Sequence, residues 1–387
     1  MITLIEHGEV YAPAPIGSTS VLALAGTIAG CGTFDRASLE TMGASVDVID
    51  ASGCYVTPGL IDPHEHLIGG SGEQGFQSQT PPIRVAELLT AGITTVVGCL
   101  GVDTTTKTMP ALLAHARALQ YAGVGAWIYS GGYTVPPTTL TGSVRSDVLL
   151  IPEVVGAGEI ALSDCRSSQP SLRHLAAIVA DAYVGGILSG KAGVTHIHVG
   201  DGLDRLRLLR ALLHEYDVRP ECLYPTHVER NEALMEEAIA LTQAGVTVDI
   251  DTVERDLSRW LRFYFERGGD PSRLTISSDA AISSPRTLYE QIQDCVLHEG
   301  FTVEQVLPLV TSNPARLLKL ECAGKIAAGA HADMLVIDKE TFELRDVILG
   351  GRHVVQDGAC TVVEAWTKGS NRWINQEGET SACTTSP

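Results

Sequence analysis

With 387 residues, 44% of them hydrophobic, the chain can bury a large core, and it contains no uninterrupted apolar run near the ~18 residues that suggest a membrane span. Its 27 basic residues stand against 46 acidic ones, and the net charge of −19 argues against nucleic acid or an anionic membrane surface as a partner. Nine cysteines without a C-x-x-C spacing make neither a disulfide framework nor a zinc knuckle.

The opening "MITLIEHGEVYAP" has no basic stretch followed by a long apolar segment and a cleavage site, so a cytoplasmic protein with reduced thiols is expected. Residues 1–57 read as short alternating strands broken by Gly and Asp. From residue 59, β-branched runs alternate with helical patterns. Eight runs read as strands: "GLIDPH" (59–64), "ITTVVGC" (93–99), "VGAWIYSG" (124–131), "GEIALS" (158–163), "VTHIHV" (194–199), "CLYPTH" (222–227), "VTVDI" (246–250) and "LTISSD" (274–279). Stretches such as "MPALLAHARALQYAG", apolar at helical spacing and closed by glycine, supply the helices between them.

Eight such units predict an α/β fold, a (β/α)8 TIM barrel over residues 58–324. Residues 325–365 return to short strands, so both terminal segments are expected to meet in a small β-sandwich domain, 1–57 with 325–365. Residues 366–387 read as a polar C-terminal tail without periodicity.

Barrels of this kind place their chemistry at the C-terminal ends of the strands. His64 and His66 of "DPHEH" stand two residues apart, hence on one face of strand one. Glu159 lies in strand four, His198 closes strand five in "THIHVGD", His227 ends strand six in "YPTHVER", and Asp279 ends strand eight in "TISSDAA". Singly, each has a plain explanation as a helix cap or an ion-pair partner. Together on one rim, four imidazoles and two carboxylates suit two borderline divalent metal ions, Zn2+ first, with a carboxylate bridging them. Such a pair acidifies a shared water, which is machinery for hydrolysis. His196 shares the strand face of His198 but lies deeper, and reads as a core histidine.

The "PGLIDPHEHL" opening, His198, His227, Asp279 and the later "GKIAAGAHADMLVID" together resemble the amidohydrolase superfamily. Within it, "HLIGGSGEQG", "TTVVGCLGVD", "GGYTVPPTTLTGSVRSDV", "ALSDCRSS", "GKAGVTHIHVGD" and "PTHVERN" resemble the isoaspartyl dipeptidase family. The resemblance implies a two-zinc barrel metallopeptidase, often an octamer, in which a metal-bridging hydroxide cleaves dipeptides linked through the aspartate β-carboxyl. It implies that Glu73 holds the substrate ammonium, that Arg166 and Arg230 hold carboxylate, and that Ser283 lies near the substrate. Tyr133 would donate to the scissile carbonyl oxygen, and Asp279 would take the proton of the attacking water and pass it to the leaving amine. The partner so implied is a small acidic dipeptide or related amide, and the protein a homo-oligomer.

The pattern departs from the family at strand four, where a carboxylated lysine is usual and this chain has Glu159. Glutamate carries a carboxylate already but is shorter, so the backbone, the ions or their number must adjust. Lys191 precedes strand five and is expected at the opposite end of the barrel. Two alternatives stay open: an amidohydrolase acting on a cyclic amide or N-acyl amino acid, and an inactive barrel serving as an oligomeric scaffold.

Overall fold

Every residue of Leu60–Glu65, Ile93–Gly98 and Val194–Val199 is buried, as parallel strands covered on both faces require. The structure, a computed structural model, describes residues 1–41, 45–70 and 72–370. The eight predicted barrel strands are present: those three with Gly125–Ser130, Val154–Leu162, Leu223–Thr226, Val248–Asp251 and Leu274–Ser277. Each is followed by a helix. Cap chemistry sets several helix ends: Thr108 accepts from the Ala111 amide at the start of Met109–Ala122, and Gly123, at φ 107°, closes that helix.

Strands one to six form one parallel sheet, and strands seven and eight pair with each other. Two seams remain, and both are closed by hydrogen bonds. Asp279 N–H donates to His64 O at 3.1 Å and His66 N–H to Ala280 O at 2.9 Å, while Val228 N–H reaches Asp249 O at 3.4 Å. Buried carboxylates reinforce the closure. Asp62 accepts from the backbone of His64 and Ser278 (3.2 and 3.1 Å), tying strand one to the end of strand eight. Asp249 gathers the hydroxyls of Tyr224, Thr226, Thr275 and Ser277 at 2.9, 2.8, 2.5 and 2.6 Å, binding strands six, seven and eight. Burial raises both carboxyls above their ordinary range, so the bonds they accept partly offset that cost; at a net of about 0.5–1.5 kcal/mol each, these clusters fix the register beneath the site.

The terminal segments interleave as expected. Met334–Asp338 runs antiparallel to Cys54–Pro58, which pairs in turn with Ile2–Tyr11, and the whole forms a nine-stranded sheet among the described residues. Alternation along Met334–Asp338 explains its docking: Met334 and Val336 enter the module's own core, while Leu335 and Ile337 join the core of the barrel. Leu172–Ser189 has the length and composition of a membrane span, yet it is the fourth barrel helix, with Leu175, Ile178, Val179 and Ala182 buried. Past Ser370 the predicted tail lies outside the described residues.

Candidate active site

The site assembles at the C-terminal mouth of the barrel. His64 lies in strand one and His66 just beyond it, their ring centres 5.6 Å apart on one side of the strand, as the spacing predicts. A Cβ on Gly101 would stand 2.8 Å from His66 Cε1, so that glycine gives the ring its room.

Glu159, fully buried in strand four, lies between two pairs of imidazoles. Its Oε1 is 2.9 Å from His198 Nδ1 and 3.3 Å from His227 Nε2. Its Oε2 is 3.3 Å from His64 Nε2 and 3.8 Å from His66 Nε2. Asp279 closes the ring, with Oδ1 3.2 Å from His66 Nε2 and 3.4 Å from His64 Nε2. All six predicted ligand-type residues are therefore brought together. His227 and Asp279 have φ of 63° and 46°, left-handed conformations that cost a non-glycine residue about 1–3 kcal/mol and turn both side chains off their strands.

Other carboxylates orient the imidazoles. Asp251 Oδ2 lies 2.6 Å from His227 Nδ1, leaving Nε2 to face Glu159. Asp164 Oδ2 lies 2.9 Å from His198 Nε2, leaving Nδ1 toward Glu159. A carboxylate on the far nitrogen is the usual way to fix the tautomer of a metal-binding imidazole. The sequence alone marks neither aspartate, and it offers Cys99, with Sγ 3.8 Å from Glu159 Oε2, only as a reduced thiol. The available signal was position: Asp251 ends strand seven, and Cys99 follows strand two directly.

The cluster is strongly polarised. Burial pushes the Glu159 carboxyl up, but His64, His198 and His227 outweigh it and hold the group well below the usual carboxylate range. Burial pulls His227 down, yet its hydrogen bonds to Asp251 and Glu159 raise it to about 9. Burial, then the charge of Glu159, raises the Tyr133 hydroxyl well above its ordinary value, so it stays a donor at neutral pH.

A field that favours imidazolium here also favours divalent cations, and the donor set fits them. Among the described residues, both nitrogens of His64 and Oδ1 of Asp279 are buried without a hydrogen-bond partner, each a penalty of about 1–3 kcal/mol unless coordination satisfies it. Groups of donors all within 4.8 Å of one another comprise His64, His66, Cys99 and Glu159; Glu159, His198 and His227; and His227, Asp251 and Asp279. Imidazole nitrogen and carboxylate oxygen are the ligands that borderline divalent metals take.

Above the cluster opens a cleft of about 820 Å3 whose walls include His66, Glu73, Tyr133, Arg166, His198, Arg230, Asp279 and Ser283. All five predicted substrate-contacting residues thus face one cavity. Tyr133 Oη is 2.8 Å from His198 Nδ1. Arg166 donates to Glu73 and Asp164, both at 2.7 Å, and Arg230 is held by the carbonyl of Val199 at 2.8 Å. His196 lies below, stacked on Tyr129 with ring centres 4.8 Å apart, and Lys191 donates to Ile151 O at 2.6 Å, away from the mouth.

A family model described as the amidohydrolase family matches residues 55–368. Among solved structures, β-aspartyl dipeptidase of the thermophilic, keratin-degrading Fervidobacterium islandicum AW-1 superposes with TM-score 0.89 at 37% identity, covering 94% of this chain and 99% of that one. Its complex with the β-Asp-Leu dipeptide gives 0.88 at 36%, with the same coverage of 94% and 99%. Adenine deaminase 2 of Agrobacterium fabrum is 24% identical over 333 residues, 82% of this chain and 51% of that protein. The chain spans about half the length of the curated relatives it matches.

Proposed function

The chain belongs to the amidohydrolase family, and we propose that it hydrolyses the β-aspartyl amide bond of dipeptides, releasing aspartate. The observation that carries this reading is the charge pattern of the cleft. Glu73 and Arg166, an acid and a base paired at 2.7 Å, face the same cavity as Arg230, Tyr133 and Asp279. A β-linked aspartyl residue keeps both its α-ammonium and its α-carboxylate free. Such a zwitterion exchanges with the Glu73–Arg166 pair, ammonium to Glu73 and carboxylate to the guanidinium fork, without leaving either charge unpaired.

A bound pair of divalent ions, most suitably Zn2+, supplies an acidified water and a Lewis acid for a carbonyl oxygen. His64, His66, Glu159, His198, His227 and Asp279 would hold them. Tyr133 donates its hydroxyl to the oxygen on which charge develops, a preorganised contact. Asp279 accepts the proton of the attacking water at its buried carboxylate and passes it to the departing amine. Arg230 binds the carboxylate of the second residue, and Ser283 lines that end of the cleft.

The likeness to adenine deaminases supports a second reading, hydrolytic removal of ammonia from a ring amidine. It leaves Glu73, Arg166 and Arg230 without partners on a neutral ring, so we rank it second. Incubation with β-linked and α-linked aspartyl dipeptides and with adenine, with metal content measured on the same sample, decides. Aspartate release confined to the β-linked set supports the first reading; ammonia from adenine with no dipeptide cleavage supports the second. A cytoplasmic homo-oligomer belongs to the same proposal, and the exposed Leu150, Ile187 and Leu188 on neighbouring helices offer apolar surface for assembly.

A further inference from the structure

Glutamate is shorter than a carboxylated lysine, so the carboxylate of Glu159 stays close to the barrel wall, and what surrounds it there matters. On the side of strand two it meets the thiol of Cys99, a fully buried residue with Sγ 3.8 Å from Glu159 Oε2 and 3.7 Å from His66 Nδ1. Ligand atoms on one tetrahedral zinc stand roughly 3.3–3.7 Å apart, given Zn–N of about 2.0–2.1 Å and Zn–S of about 2.3 Å. The spans from Glu159 Oε2 to His64 Nε2 (3.3 Å) and from Cys99 Sγ to His66 Nδ1 (3.7 Å) fall in that range and the span from Sγ to Glu159 Oε2 (3.8 Å) lies just beyond it, with His66 turning Nδ1 toward the thiol and Nε2 toward Asp279 (3.2 Å). His64, beside them, is fully buried, and neither of its nitrogens has a hydrogen-bond partner among the described residues. The thiol also makes a weak contact to the Glu65 carbonyl at 3.6 Å.

We propose that Cys99 is a metal ligand of this chain, its sulfur joining His64, His66 and Glu159 around one ion. The S–H proton leaves to solvent as the sulfur–metal bond forms, and no redox step is involved. A thiolate makes the centre softer and favours Zn2+ over Mn2+ or Mg2+, which prefer oxygen donors. The proposal rests on the metal-centre reading above and on no particular substrate.

Cobalt tests it directly. The full chain is stripped with a chelator, reloaded with Co2+ under anaerobic conditions, and examined for the sulfur-to-cobalt charge-transfer band in the near ultraviolet. Wild type should show the band and Cys99→Ser should lose it. Cys165→Ser, which removes an exposed thiol next to Arg166, should keep it. Cobalt retention should weaken at least about tenfold in Cys99→Ser, since loss of even an outer partner costs that much. Bound cobalt without the band in wild type, or a band that survives Cys99→Ser, overturns the assignment and leaves the metal centre standing. Failure of wild type to bind cobalt overturns both. If the serine variant does not fold, Cys99→Ala takes its place, and bound cobalt without the band in wild type overturns the assignment regardless.

Discussion

Glu159 and His198 meet at 2.9 Å through Oε1 and Nδ1, while the other oxygen of the same carboxylate faces His64 at 3.3 Å. One side chain therefore addresses two separate pairs of imidazoles, the arrangement a bridging carboxylate needs. Glu159→Gln keeps the shape but removes the charge that would tie two cations together. The expected result is a fall from two bound ions per chain to one or none by elemental analysis, with turnover down by more than ~100-fold, on the scale of losing an essential catalytic group. Two ions retained in the variant would rule the bridge out.

Asp279 combines an unpartnered buried oxygen with a place on the wall of the cleft. As the proton carrier it should be needed for kcat above all. Asp279→Asn is expected to fold normally by circular dichroism and to lose about 10²–10⁴ in kcat. Near-normal kcat would show that the proton travels by another route.

The Glu73–Arg166 pair should govern binding of the aspartyl end. Arg166→Lys replaces a planar fork by a point charge, and KM for β-Asp-Leu should rise by about tenfold or more while kcat changes less. Glu73→Gln should act in the same direction. An unchanged KM in Glu73→Gln, with activity intact, would favour a cyclic amide or N-acyl substrate, which presents no free ammonium.

Acid should weaken the terminal module first. Burial pushes the Asp346 carboxyl up, but hydrogen bonds from His353 and Arg345 (3.0 and 2.7 Å) outweigh it and hold its pKa below the ordinary value. A carboxyl depressed in the folded state stabilises fully above its unfolded pKa of ~3.9, and the stabilisation drains away as pH falls through the folded value. Asp346→Asn should cost about 1–3 kcal/mol in denaturant titrations at pH 7 and much less near pH 2. An equal loss at both pH values would assign the effect to packing instead.

The barrel was legible because its strands are short, apolar and regularly spaced, and because ligand-type residues sit where strands end. The sequence pattern starts strand four at Gly158, whereas it begins at Val154: Gly156 and Gly158 hide it from any propensity argument. The apolar pattern of strand seven ends at Ile250, one residue before Asp251, so it does not mark the carboxylate that orients His227. Asp164 and Cys99 escaped for a different reason. Their relevance lies in distances across the barrel mouth, to His198 and to Glu159, which no local pattern carries. That Arg166 and Arg230 share a cavity is likewise visible only in the closed barrel, since their loops follow different strands.

Anomalous diffraction from crystals grown with zinc tests the central claim most directly. Two peaks flanking the carboxylate of Glu159, one toward His64 and His66 and one toward His198 and His227, are the predicted result. A Glu159 carboxyl turned out of the cluster, with no peak among the four imidazoles, would contradict it.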